Sequence, residues 1–365
     1  MNSRERLLAA LDRQVPDRLP ATTHHLMPSF LAGRGGISER EFFDRFGLDA
    51  IRWVTGLRRD ATGSVRDWRV EREDLPAPHY LTTRFHIITP HGSLSMVLQN
   101  DGRTDWVRER LIKKKNDIDL IARYAPIPLC DTEQVQREAA AFGARGIVRG
   151  AVPGFPIYGQ PGCWQDAAVL FGIEELIVET FDDPAWVTEL LAILQHRKLV
   201  WIESALGAPF DLLELGGGDA SSTVISPALF DRFVAPFDIP LIAAAHQAGL
   251  RIVYHTCGGM MPILERLVEM GPDAMETFTP RSMGGDADLR QAKQRIGRRV
   301  CMIGGFDQFH HFVACTPEET RRAVRACFEE AGQGGGYILA PSDHFFQADE
   351  ALLRAYGDEA GSCRY

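Results

Sequence analysis

Two side chains of this chain, two residues apart, have the chemistry of metal ligands. His255-Thr256-Cys257-Gly258-Gly259 closes an apolar run, Arg251–His255. A strand ending there brings an imidazole and a thiol within reach of one ion, and both are preferred zinc ligands. The competing reading is a buried thiol beside a histidine that bonds a backbone carbonyl. Glu276 ends the next apolar run and offers an oxygen ligand, or else caps a helix or pairs with Arg281. Asp343 and His344 end the last run and are candidates for closing the metal site, with Asp343 alternatively capping a helix. Glu214 and Asp219 flank Gly216-Gly217-Gly218 and are candidates for orienting a substrate or for acid–base work. His25, after His24, is a candidate donor at the mouth of the site, and Phe155, Gly217 and Asp307 are candidate substrate contacts.

Such residues converge only if the elements carrying them are parallel strands. Short runs rich in Val, Ile, Leu and Met, bounded by Gly or Pro, occur at Arg18–Thr23, Gly146–Val152, Phe210–Leu215, Arg251–His255, Asp273–Thr277, Arg299–Ile303 and Gly336–Ala340. They read as buried parallel strands. Helical spacing fills the intervals at Trp186–Leu206, Ala228–Ala248 and Glu319–Ala331; Ser226-Pro227 and Thr316-Pro317 mark two helix starts. The pattern predicts an α/β, (β/α)8 TIM-type barrel whose strand C-termini share one mouth. It is elaborated at the N-terminus by a helix within residues 1–20 and by residues 39–110, an insertion after the first strand that caps the barrel. Phe85–Ile88 and Ser93–Leu98, around Thr89-Pro90-His91-Gly92, form a predicted β-hairpin inside it. The whole chain, 1–365, is expected to be one domain.

Composition narrows the function. The chain has 365 residues, 45% hydrophobic and 24% charged, with 49 acidic against 40 basic side chains. That balance argues against a nucleic-acid partner. No run of apolar residues is long enough for a membrane span. Seven cysteines spread over this length suggest a cytoplasmic, reduced protein rather than a disulfide scaffold. Cys301 lies early in its strand and reads as core. Neither glycine triplet, 216–218 or 334–336, matches a phosphate loop or dinucleotide fingerprint. Lys113-Lys114-Lys115 reads as a solvated face.

The residues also resemble a known family. Asp219, Ile225-Ser226-Pro227, Phe230 and Pro236, then His255-Thr256-Cys257-Gly258, then Gly304-Gly305-Phe306-Asp307, then Gly335 through Ser342, look like the uroporphyrinogen decarboxylase superfamily. Arg4-Glu5-Arg6-Leu7-Leu8-Ala9-Ala10-Leu11 and Pro16-Asp17-Arg18-Leu19-Pro20 are similar to its opening. Within it the chain is most similar to the corrinoid-dependent methyltransferase branch. The resemblance implies a TIM barrel, zinc held by His255 and Cys257 with Glu276 between them and a later ligand, and a corrinoid (cobalamin) on a separate carrier protein. The later cysteine of the branch aligns with Asp343, next to His344, which makes the site harder. True decarboxylases of this superfamily carry Arg-Gln-Ala-Gly-Arg-Tyr near the N-terminus, where this chain reads Thr22-Thr23-His24-His25-Leu26-Met27-Pro28. The expected activity is zinc-dependent methyl transfer between a small methoxy or thiol compound and a corrinoid, for example O-demethylation. The alternatives are metal-independent decarboxylation of a smaller acid, or a non-catalytic barrel that binds a corrinoid or tetrapyrrole. A homodimer is compatible with the resemblance.

Overall fold

A computed structural model describes residues 1–58 and 65–365. Seven parallel strands form one curled, TIM-like sheet: β1 (Ala50–Trp53), β6 (Gly146–Ala151), β7 (Leu212–Gly216), β8 (Ile252–His255), β9 (Ala274–Thr277), β10 (Cys301–Phe306) and β11 (Tyr337–Pro341) lie side by side in that order. The strands are short and their side chains almost all buried, as expected where helices cover one face and the inside of the curl the other. A second, antiparallel sheet holds β2 (Arg69–Leu75), β3 (Leu81–Thr89), β4 (Gly92–Asn100) and β5 (Asp105–Glu109).

Three expectations are corrected. The run Arg18–Thr23 is not a strand. Pro20 has no N–H to give a ladder, and only Ala21 bridges Leu339 of β11. Around that bridge Leu339 N donates to Pro20 O at 2.9 Å and Thr22 N to Leu339 O at 2.9 Å, while Ala21 O accepts from Asp49 N at 2.7 Å just ahead of β1. The two edges of the parallel sheet therefore meet through one residue. The proposed insertion 39–110 also divides, because Ala50–Trp53 inside it pairs with β6 from Ala50↔Gly146 to Trp53↔Arg149. Only the later part is the antiparallel sheet. Its β3–β4 hairpin turns at Pro90-His91, where the sequence predicted it, with Thr89 opposite Gly92. This sheet leans on the loop after β6: Tyr158 Oη donates to Asp105 O at 2.9 Å, and the Trp68 and Phe155 rings are 6.0 Å apart. The predicted helix Ala228–Ala248 breaks into Pro227–Phe233 and Ala235–Gln247, as Pro236 near the start of the second demands.

The inside of the curl is a compact apolar plug. Ile51, Ile147, Leu212, Val253, Ala274, Cys301 and Ile338 point inward and meet Leu7, Ala10 and Leu11 of the N-terminal helix Ser3–Leu11. Cys301 is core, as its place in the strand predicted. That helix is started by Asn2 and Glu5, which cap each other's backbone, and is anchored by a charge. Asp49, 1% exposed, accepts from Arg6 Nη1 at 2.6 Å, Arg18 Nη2 at 3.2 Å and Ala21 N at 3.1 Å. Burial pushes its carboxyl up, against the pull of Arg18 and Arg6. One carboxylate thus joins the helix, the bridge and the entry to β1.

Replacing Asp49 by Ala leaves buried Arg6 with only the more exposed Asp17 as partner and should cost about 1–3 kcal/mol. Urea unfolding measures the loss, and hydrogen exchange should show the amides of Ser3–Leu11 opening first. Unchanged protection there would mean the anchor lies elsewhere.

Candidate active site at the strand C-termini

Register decides which polar side chains meet. Trp53 is level with Arg149, and Arg149 with Leu212; His255 is level with Glu276. Glu214 stands two residues beyond Leu212 and His255 is level with Gly216, two residues further still, so β6, β7, β8 and β9 each send one ionisable side chain toward the strand C-termini on successive rungs, which the long Arg149 side chain spans. Arg149 is 1% exposed, and Glu276 is 2% exposed. Arg149 Nη1 donates to Glu276 Oε2 at 2.9 Å, and Nη2 donates to Glu214 Oε2 at 2.7 Å and also to Glu276 Oε1. Its guanidinium lies over the Trp53 ring, 4.5 Å from the centroid. His255 Nδ1 is 3.0 Å from Glu276 Oε1, and Cys257 follows two residues later with its Sγ against Gly218.

His24 completes the group. It follows the Ala21 bridge directly, and its Nδ1 is buried with no hydrogen bond, 3.6 Å from Glu276 Oε1. Its Nε2 is 4.0 Å from Glu214 Oε2. One nitrogen or oxygen from each of His24, Glu214, His255 and Glu276 lies within 4.8 Å of the other three. His24 also stacks on His344, with centroids 5.7 Å apart and ring planes 17° from parallel.

The electrostatics follow from burial against pairing. Burial would raise the Glu276 carboxyl, but Arg149, His24 and His255 hold it well below the usual carboxylate range. Burial works against a charged His255, yet Cys257 and Glu276, with Glu214 nearby, lift it well above the ordinary histidine value. His344 is pushed down by burial and by the neighbouring imidazoles. His25, packed edge-on against Trp53 at 5.3 Å, is lowered to about 4 by burial and by His24.

The residues singled out from sequence divide into those in this cluster and those around it. His255, Glu276 and Glu214 are in it, Cys257 lies just beyond His255 at its edge, and His344 stacks against it. Asp343 turns to its own neighbour, accepting from His344 N at 2.7 Å. Asp219 lies on the adjoining turn, where Gln165 Nε2 donates to it at 2.8 Å and burial raises its carboxyl. The glycines before it keep that turn close: a Cβ on Gly218 would sit 2.5 Å from Cys257 Sγ, and one on Gly217 the same distance from the Gln165 side chain. Gly217 N donates to His255 O at 2.9 Å. Phe155 is 4% exposed, packed between Trp68 and the Arg197 guanidinium. Asp307 caps the helix Gln308–His311 and accepts from Ser282 Oγ at 2.6 Å.

Arg149 was missed by the sequence reading, and His24 was noticed only as the neighbour of His25. The signal for Arg149 was there: a lone arginine inside Gly146-Ile147-Val148-Arg149-Gly150-Ala151 must find carboxylates once that strand is buried. Nothing local marks His24, whose place depends on the bridge at Ala21.

The fold and this cluster define a TIM-like α/β protein with an ionisable centre at the carboxyl ends of its strands, where such folds carry their chemistry. Comparison with known proteins gives the family. The profile described as uroporphyrinogen decarboxylase (URO-D) matches residues 107–347, and the chain belongs to that family. A uroporphyrinogen decarboxylase of Neisseria meningitidis serogroup C is 29% identical over 126 residues, a stretch that spans 33% of this chain and 33% of that protein. Among solved structures, a methyltransferase from Methanosarcina mazei superposes with a TM-score of 0.68 at 16% identity, over 99% of both chains. A B12-independent methionine synthase from Shewanella sp. W3-18-1 superposes with a TM-score of 0.50 at 9% identity, over 94% of this chain and 96% of that one. No helix among the described residues is long and apolar enough to cross a membrane.

Changing Arg149 to Met strands two buried carboxylates and should lower stability by about 3–5 kcal/mol. Adding Glu276→Gln to that variant should restore part of the loss, because the pair is coupled. Denaturant midpoints of the two single variants and the double variant test this; strictly additive losses would contradict the network.

Proposed function

We propose that the chain is a zinc-dependent methyltransferase. It moves a methyl group between a small methylated substrate, a methoxy or thiol compound, and a corrinoid held by a separate carrier protein. The observation that carries this reading is the grouping of His24, Glu214, His255 and Glu276 within 4.8 Å of one another, with the buried Nδ1 of His24 free of hydrogen bonds and Cys257 two residues beyond His255. Arg149 already occupies both oxygens of Glu276 but only one of Glu214, so His24, His255 and Glu214 are the donors the cluster leaves for a metal, with Cys257, two residues beyond His255, as the thiolate that suits zinc. Asp343 and His344 stay candidates for a further ligand, with His344 the nearer to His24. Bound there, zinc would supply Lewis acidity to the heteroatom that carries or receives the methyl group.

The remaining work falls to the protein. Glu276, clamped by Arg149, accepts at His255 Nδ1 and so orients the ring and sets its tautomer, the role carboxylates take behind ligating histidines. Glu214 is tied to Arg149 and borders the same space. Asp219, its carboxyl raised by burial, holds a proton more readily than an ordinary aspartate and in this reading serves as the acid for a departing oxygen. The likeness to the Methanosarcina mazei methyltransferase over the full chain supports the fold on which this reading stands. Family membership keeps decarboxylation of a smaller acid as the second reading, in which His255 and Cys257 are structural.

Metal analysis separates the two. Purified protein should carry zinc stoichiometrically and lose it in Cys257→Ala and His255→Ala, and His24→Ala should bind it more weakly. Full zinc content in the first two variants would refute the assignment. With zinc loaded, reduced free cobalamin should become methylated by methoxy or methylthio donors, seen as a change in its visible spectrum. Carbon dioxide release without methyl transfer would favour the decarboxylase.

A further inference from the structure

Beside the cluster opens a cavity of about 440 Å³, in the size range of sites for small organic molecules. Trp53 forms part of its wall and joins it to the cluster: the indole N–H donates to His24 O at 2.9 Å, and Arg149 covers the ring. Leu26, Pro28, Val54, Val152 and Pro161 make further apolar wall. Among the described residues its ionisable lining is His25 and Glu39, and the Glu39 carboxylate is held by Arg52 Nη1 at 3.0 Å. The side formed by residues 153–161 is preset by a buried ion pair. Lys198 Nζ donates to Pro153 O at 3.1 Å, to Gln160 O at 2.9 Å and to Asp166 Oδ2 at 2.9 Å. Asp166 Oδ1 accepts in turn from Phe155 N and Gln160 N, at 3.2 and 3.1 Å.

We infer that this cavity receives the body of the substrate, and that the body is a neutral, largely apolar molecule of about one ring, not a carboxylate-bearing acid. The word substrate rests on the methyl-transfer reading above; the ligand class rests on the cavity alone. An apolar ring gains by leaving water for such walls. A carboxylate in the same place sheds its hydration and finds no lysine or arginine in the described lining, the nearby Arg52 being already taken by Glu39 and Glu138. A tetrapyrrole with many carboxylates is worse served still, because each needs a charged donor. The clamp through Lys198 and Asp166 gives the wall its shape before any ligand arrives, which lowers the ordering cost of binding.

Calorimetric titration of the intact protein with methoxybenzene and with 3-methoxybenzoate, which differ by one carboxylate, tests this without any corrinoid. Methoxybenzene should bind saturably and about tenfold or more tighter than its carboxylated partner. Thr55→Lys, on the exposed rim of the cavity, should narrow or reverse that preference while the melting temperature stays unchanged. Equal or tighter binding of 3-methoxybenzoate to the unaltered protein would overturn the inference, as would absence of binding by both compounds or a preference indifferent to Thr55→Lys. If methoxybenzene binds as expected but no donor methylates cobalamin, the methyl-transfer reading fails and the ligand class stands.

Discussion

A guanidinium sealed from water must find its counter-charges inside the protein, and in this chain that demand organises the site. Arg149 reaches Glu214 on one neighbouring strand and Glu276 two strands further on, and rests on Trp53 of the strand on its other side. Its carboxylate partners then set the histidines: Glu276 faces His255 Nδ1 and stands near His24. Removing Arg149 would not delete one contact but would leave like charges crowded in a low-dielectric space. The orientation of the carboxylates, and through Glu276 that of the His255 imidazole, depends on that one cation.

The arrangement separates two jobs that a metal-binding reading of sequence alone tends to merge. Glu276 has the right residue type and strand to be a ligand, yet both its oxygens are committed to Arg149 and one also to His255. Its evident work is orientation. His24, by contrast, arrives from the chain's opening segment with a buried nitrogen and no partner. The imidazole–thiol pair of β8 therefore meets a donor from far away in sequence, while the strand next to it supplies the buttress. Trp53 forms part of the wall of the apolar cavity while its ring carries Arg149 and its N–H holds His24 O, so one side chain borders both the polar centre and the greasy one.

Much of the fold was readable because buried parallel strands leave a strong trace. The runs ending at Val152, Leu215, His255, Thr277, Ile303 and Ala340 all became strands, with ends shifted by three residues at most. Two short pieces misled. Ala50-Ile51-Arg52-Trp53 alternates an outward arginine, paired with Glu39 and Glu138, with inward apolar residues, and four such residues carry little periodic signal. Arg18–Thr23 has the composition of a strand, but its proline limits it to one bridge. Both lie at the seam of the curled sheet, where pairing is decided by closure and not by local preference.

Spacing along the chain was enough to determined that His255 and Cys257 share a strand end, and that Glu214, Glu276 and His344 end neighbouring units of one parallel sheet. A regular alternation of strand and helix delivers carboxyl ends to a common mouth whatever the details of packing. Tertiary structure alone decided that Arg149 would take the two carboxylates and that His24, brought in by the Ala21 bridge, would stand unpartnered beside His255. Those outcomes depend on strand register and on which buried charges lie within a few ångströms of each other, and the strength of charge pairing in a desolvated interior turns on such distances.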